Sequence, residues 1–229
     1  MRSAVAGLVL MLGLLFAVTA IAQQAPEMAA APPAGDSLRV SVLTFAPGLT
    51  YWQRFGHNAL LVENTATGAN AVYNYGMFDF FQKNFFLNFA RGHMLYRLDV
   101  DSLERTLALY ANEGRWVRQQ VLNLDSAQRL EIARALDRNA QPDQAQYRYD
   151  YFRDNCSTRV RDAVNRVLGG ALQAPLEAQA AGVSYRYEAT RLVTPIPLLM
   201  AGMDLIMGPA GDVPLNLWQQ SFVPEVFMQ

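Results

Sequence analysis

Residues 151–170 read YFRDNCSTRVRDAVNRVLGG. Val160, Val164 and Val167 recur at helical spacing, and Gly169-Gly170 closes the run, so a helix is expected from Ser157 to Leu168. Asp154 and Asn155 stand just ahead of it as N-cap residues. Cys156 therefore falls at the positive end of a helix dipole and off the valine stripe, where a structural cysteine would pack. A thiol in that place has a lowered pKa, and free N–H groups of the first turn can meet a developing oxyanion. Burial as an inert small hydrophobe is the commoner fate of a lone cysteine, and Cys156 is the only one in the chain.

Upstream, the pattern is that of strands. Leu38 to Phe45 (LRVSVLTF) alternates and is β-branched at its centre; Ala46-Pro47-Gly48 ends it. Tyr51 to Phe55 is a short connector. His57 to Val62 and Ala71 to Tyr75 flank a Thr, Gly and Asn turn and read as a hairpin, and His93 to Val100 reads as a further strand. Asp101, with Glu104 three residues on, reads as the capping box of a helix whose inner face is Leu103, Leu107 and Tyr110. Trp116 to Leu124 is a strand candidate. Asp125 or Ser126 caps the next helix, with Leu130, Ala133 and Leu136 turned inward. Five prolines from Pro195 to Pro224 exclude one long helix in the tail. Strands first with helices interspersed is an α+β arrangement.

The 229 residues are 52% hydrophobic and 17% charged, enough apolar mass for a core and too much for a disordered chain. Lys+Arg is 19 against 20 for Asp+Glu, so there is no excess positive charge for a nucleic-acid backbone. Arg2, the apolar run Ala4–Val18 and the small residues Ala20 and Ala22 read as a secretory signal peptide, residues 1–22, with an uncleaved anchor as the alternative. Residues 23–36 are Ala/Pro-rich and read as a flexible tether, leaving residues 37–229 as the folded domain. Export places the domain outside the cytoplasm, in a periplasm. There an unpaired cysteine is exposed to oxidation, so it is either buried or kept for its chemistry.

A nucleophilic thiol needs a base, and there are two histidines, His57 and His93. His57 is preferred because it opens a core strand, and a strand end holds an imidazole more firmly than a loop. Asn74, on the returning strand, can face it and orient the ring; Tyr73, Tyr75 and Asp79 compete for that role. Neither a G-x-S-x-G elbow nor a G-x-G-x-x-G loop is present, and a zinc site from His57, His93 and Cys156 has no close-spaced ligand pair, so no metal or cofactor is expected. Phe78, Phe80, Phe81, Phe85, Phe86 and Phe89 crowd one segment, beside Lys83 and Arg91. They are either ordinary core or a lipid-facing lip, with Phe78, Phe80, Phe86 and Arg91 the candidates to hold substrate. Trp52, Trp116 and Trp218 carry the same two readings.

The order of His57 on a strand and Asn155-Cys156 at a helix start 99 residues later (156 minus 57) resembles circularly permuted papain-like thiol enzymes of the NlpC type. More closely, Arg54-Phe55-Gly56-His57-Asn58-Ala59, Tyr73-Asn74-Tyr75-Gly76-x-Phe78-Asp79-Phe80, Phe89-Ala90-Arg91-Gly92 and Tyr149-x-Tyr151-Phe152-x-Asp154-Asn155-Cys156-Ser157-Thr158-Arg159 resemble the Lnb N-terminal periplasmic domain family, a likeness running from about Ser37 to Phe227. The resemblance implies Cys156 as nucleophile, His57 as base, and acyl transfer from a membrane lipid ester to an amine such as a lipoprotein N-terminus, with peripheral contact to the membrane. Two further expectations stand beside it: a papain-like amidase or peptidase acting on cell-wall peptide, and a catalytically silent envelope binding module.

Overall fold

A computed structural model describes residues 34–78 and 95–229. The expected leader, most of the tether, and Phe80, Phe86, Arg91 and His93 lie outside the described residues. Residues 33–229 cluster as one compact unit. Six strands form an antiparallel sheet: β1 (Leu38–Phe45), β2 (His57–Asn64), β3 (Asn70–Phe78), β4 (Leu95–Asp101), β5 (Val117–Val121) and β6 (Gln146–Arg148), in the order β5-β1-β2-β3-β4-β6. Among the described residues the helices are α1 (Leu103–Asn112), α2 (Ser126–Asn139), α3 (Cys156–Val167), α4 (Gln173–Glu177), α5 (Tyr185–Val193), α6 (Pro197–Ile206), α7 (Leu217–Gln220) and α8 (Pro224–Phe227). A small two-stranded sheet pairs β7 (Ala180–Ser184) with β8 (Pro214–Asn216). The α+β class holds.

Alternation along the strands divides the core in two. Val40, Val42, Leu60, Val62, Tyr73 and Leu98 point to one face, where Ile132 and Leu136 of α2 and Val160, Val164 and Val167 of α3 cover them. Leu43, Phe45, Ala59, Leu61 and Val72 point to the other, against Tyr110 of α1. Each such side chain contributes about 1.5–3 kcal/mol on full burial, so both helix layers are anchored by the same two central strands.

Several boundaries differ from the sequence expectation for local reasons. Ser102, not Asp101, caps α1: its hydroxyl accepts from the Arg105 N–H, while Asp101 accepts from Ser102 N–H. Tyr110 is buried and Leu103 packs on the core as expected, but Thr106 takes the buried place expected of Leu107, which is exposed. In α2, Asp125 forms a complete capping box with Gln128, and Ile132 takes the buried place expected of Leu130. The strand expected over Trp116–Leu124 is paired only from Val117 to Val121. β3 runs on to Phe78 because its register with β4 shifts between Asn74 and Met77, a bulge that includes Gly76 at φ 86°.

Candidate active site

Cys156 is the first residue of α3. Asn155 caps that helix in a reciprocal box: its side-chain oxygen accepts from Thr158 N–H at 2.9 Å, and Thr158 Oγ1 accepts from Asn155 N–H at 2.8 Å. The Asn155 amide also donates to the carbonyls of Tyr151 and Phe222, both at 2.9 Å. Ser157 Oγ donates to Ser221 O at 2.6 Å, and Arg161 Nη1 to Trp218 O at 2.6 Å. The first turn of α3 is thus fixed on one side by its own cap and on the other by residues 218–222. The helix end that aims the thiol has little freedom.

His57 and Cys156 start on opposite faces of the sheet. His57 pairs with Phe45 in register, and the two rings lie 5.5 Å apart on the α1 side. Cys156 belongs to the core under α3. They meet where the sheet opens: β2–β3 pairing extends only to Leu60↔Tyr73, and the β3 bulge follows. Gly76 lines that gap. A Cβ added there would stand 3.6 Å from the Cys156 Cβ and 3.0 Å from the Tyr149 Cε2. The left-handed backbone and the close Tyr149 ring leave little room for a side chain at this point.

Asn74 shares the face of His57 by alternation, and its Oδ1 lies 3.3 Å from His57 Nε2. The Asn74 amide nitrogen donates to Val72 O at 3.3 Å, which turns its oxygen toward the ring. An acceptor at Nε2 requires a proton on that nitrogen, leaving Nδ1 of the neutral ring to take one from the thiol. Two competitors for this place are engaged elsewhere: Tyr73 donates to Asp137, and the Tyr75 hydroxyl accepts from Asn139 at 2.9 Å. Asp79 lies outside the described residues.

Burial pushes the Cys156 thiol up, and it is only 6% exposed. Against that act the charge of His57, a hydrogen bond from His57, the Asn58 backbone N–H and the Tyr149 hydroxyl; together they outweigh burial and hold the thiol below its ordinary value. Tyr149 is held far above its own ordinary value, first by burial and then by the thiolate, so it stays protonated and able to donate. Its hydroxyl also accepts from the Cys156 backbone N–H. Tyr149 was not singled out for a role from the sequence. The signal was the alternation Tyr147-x-Tyr149-x-Tyr151, which places one aromatic edge along the approach to the thiol.

The rings continue outward. Tyr149 stacks on Tyr96 at 4.1 Å, Tyr96 packs on Phe78 at 5.0 Å, and the Tyr96 and Tyr151 hydroxyls are 3.1 Å apart. Phe78 is therefore two rings from the thiol; the other proposed substrate residues, Phe80, Phe86 and Arg91, lie outside the described residues. Trp218 is part of the support beneath α3, with the Arg161 guanidinium 3.7 Å over its ring. Among the described residues no group of three or more His, Cys, Asp or Glu is placed to hold a metal.

Gly76→Ala is expected to lower stability by about 1–2 kcal/mol for the left-handed backbone alone, and more for the contact with Tyr149. Thermal melting should show a drop of a few degrees, with slower alkylation of Cys156. A variant that melts and alkylates as the parent does would show that the gap tolerates a side chain.

No curated protein and no solved structure matches the chain. Among the described residues no helix is long and apolar enough to cross a membrane. The Lnb N-terminal periplasmic domain matches residues 27–193, a span that includes His57, Asn74, Tyr149 and Cys156 and covers well over half of the sequence. The chain therefore belongs to the Lnb N-terminal periplasmic domain family, and its role lies outside the cytoplasm.

Proposed function

We propose that this protein is a Cys-His thiol acyltransferase, or lipid acyl hydrolase, built on a circularly permuted papain-like fold. One observation carries the reading: a thiol at the first residue of a capped helix is held below its ordinary value by a histidine whose far nitrogen meets an asparagine oxygen at 3.3 Å. A buried cysteine with a purely structural role has no need of that arrangement.

The Cys156 thiolate attacks the carbonyl carbon of a lipid ester. The oxyanion forms beside Asn58 N–H and the Tyr149 hydroxyl, whose hydrogen bonds pass from sulfur to oxygen as sulfur loses its charge. The C–O bond breaks, and the imidazolium of His57 gives its proton to the departing alkoxide. A thioester on Cys156 and a free alcohol result. An amine then attacks the thioester carbonyl and yields its proton to His57; the C–S bond breaks, leaving an amide and the thiolate–imidazolium pair. Water in place of the amine gives a carboxylic acid. The Tyr149–Tyr96–Phe78 aromatic run supports an apolar chain as the donor's tail.

The test is intact-mass analysis of the protein after incubation with phospholipid vesicles and acid quenching. The expected product is a gain of one acyl chain that neutral hydroxylamine removes. A protein unmodified by lipid but acylated by a cell-wall peptide substrate overturns the lipid reading in favour of an amidase.

A further inference from the structure

The surface carries two apolar projections that the chemistry does not use. One is the turn between β1 and β2, where Leu49 is 90% exposed and Tyr51 and Trp52 are more than half exposed. The other is α6, with Leu198 and Leu205 each 87% and Ile206 84% exposed. Leu198 and Leu205 are two turns apart and share a side of the helix. Nothing in α6 is buried.

Both projections are stiff. Arg54 Nη1 donates to Gly48 O at 2.9 Å at the base of the turn, and Gly48 N–H donates to Gln53 O at 2.9 Å across it. The same guanidinium donates from Nε to Leu192 O at 3.1 Å, near the end of α5 where the chain turns into α6. One side chain thus ties the turn to α5, the helix that leads into α6. At the far end of α6, Arg186 donates to Met207 O at 2.6 Å and to Asp212 at 2.6 Å, and pairs with Asp204 at 3.2 Å. Flexible loops lose ordering entropy on contact; these are already ordered.

The surface asks its partner for neither charge nor hydrogen bonds. No residue from Val40 to Gln53 or from Leu192 to Met203 is charged. Asp204, the one charge within α6, shares Arg186 with Asp212, which leaves one net negative charge at that base and none at the tips, and both arginines at the bases are spent on internal partners. Protein interfaces carry a polar rim that seeks partners, whereas the acyl-chain boundary of a bilayer offers none. Leucine at the tips with Tyr and Trp beside them is the composition that settles at that boundary.

We infer that the 48–53 turn and α6 form one rigid docking face that inserts shallowly into a phospholipid bilayer through apolar contact alone. This rests on the lipid reading of the site and deepens it by naming the surface on which the donor is met. His57 follows the first projection directly, so docking there brings the bilayer to the mouth of the site.

The experiment measures binding of the full chain to phosphatidylcholine vesicles by co-sedimentation, for the parent, Leu49→Asp, Leu198→Asp and the double variant. These positions are nearly fully exposed, and the amino-terminal segment is the same throughout. Each single change is expected to weaken binding about tenfold and the double about a hundredfold, as loss of a buried leucine implies. High salt should not release the protein, and anionic lipid should not tighten it. Absence of binding by the parent, equal binding by the double variant, or binding confined to anionic vesicles and lost in salt overturns the inference. So does a parent dimer that the double variant abolishes while vesicle binding stays unchanged. Acylation of Cys156 by a soluble short-chain thioester separates the two proposals: the double variant should retain it. Vesicle binding with no acylation by any ester sinks the enzyme and leaves the docking face; acylation without vesicle binding does the reverse.

Discussion

Exchange of Cys156 for serine is expected to abolish the acyl adduct and the proposed turnover while leaving the fold intact. The substitution is nearly isosteric, and the site is buried and supplied with donors from Asn58 N–H and Tyr149. A serine hydroxyl ionises many units above a thiol, so the imidazole cannot hold it as an anion, and the attacking species is lost with the shape preserved. Intact-mass analysis after incubation with phospholipid should show the unmodified protein only, and melting should be within a few degrees of the parent. The neighbouring Ser157 cannot take over, because it is fully buried and its hydroxyl donates to Ser221 O at 2.6 Å. A hydroxylamine-labile adduct on the Cys156→Ser chain would place the nucleophile elsewhere.

The second large effect is expected from His57→Gln. Burial is the strongest influence on Cys156 and raises its pKa; the two strongest opposing influences both come from His57. Glutamine fills the space without the charge. With those two gone, Asn58 N–H and Tyr149 alone oppose burial, and the thiol should pass from below its ordinary value to above it. The sign follows for reactivity: parent Cys156 should alkylate below the pH at which a free thiol ionises, and the variant should need a pH above it. Stopped-flow alkylation across pH should show a displacement of about one unit or more, since each unit is 1.36 kcal/mol of thiolate stabilisation. Acylation should fall about 10²–10⁴-fold, the span of a lost general acid–base. Superimposable pH profiles would mean that the imidazole is not coupled to the sulfur.

What could be read in advance was what depends on short periods. Asp154-Asn155 ahead of the valine stripe gave the cap and placed Cys156 at a helix start, because capping is a local matter of three or four residues. Asn74 stood in the sequence as one candidate partner of His57 beside Tyr73, Tyr75 and Asp79; the hairpin register, which puts it on the His57 face, makes the choice. The one-residue slip from Asp101 to Ser102 shows the limit: both residue types cap well, and only tertiary contact chooses. The passage of the thiol across the sheet was not legible at all. It goes with a bulge between Asn74 and Met77, set by how β4 registers on β3, where Gly76 takes a left-handed backbone. Nor did the proline-rich tail announce that residues 218–222 would brace α3.

That brace has a consequence for the order in which the molecule matures. The family match ends at residue 193, yet Asn155 and Ser157 find partners in Phe222 and Ser221, which enter the chain 67 and 64 residues after them. During synthesis α3 is made first but cannot be braced in this way until Ser221 and Phe222 have been added. A fragment trimmed at the family boundary would leave those groups unsatisfied and the helix end loose. A chain cut before Ser221 would thus still carry Cys156, but on a helix end without its brace.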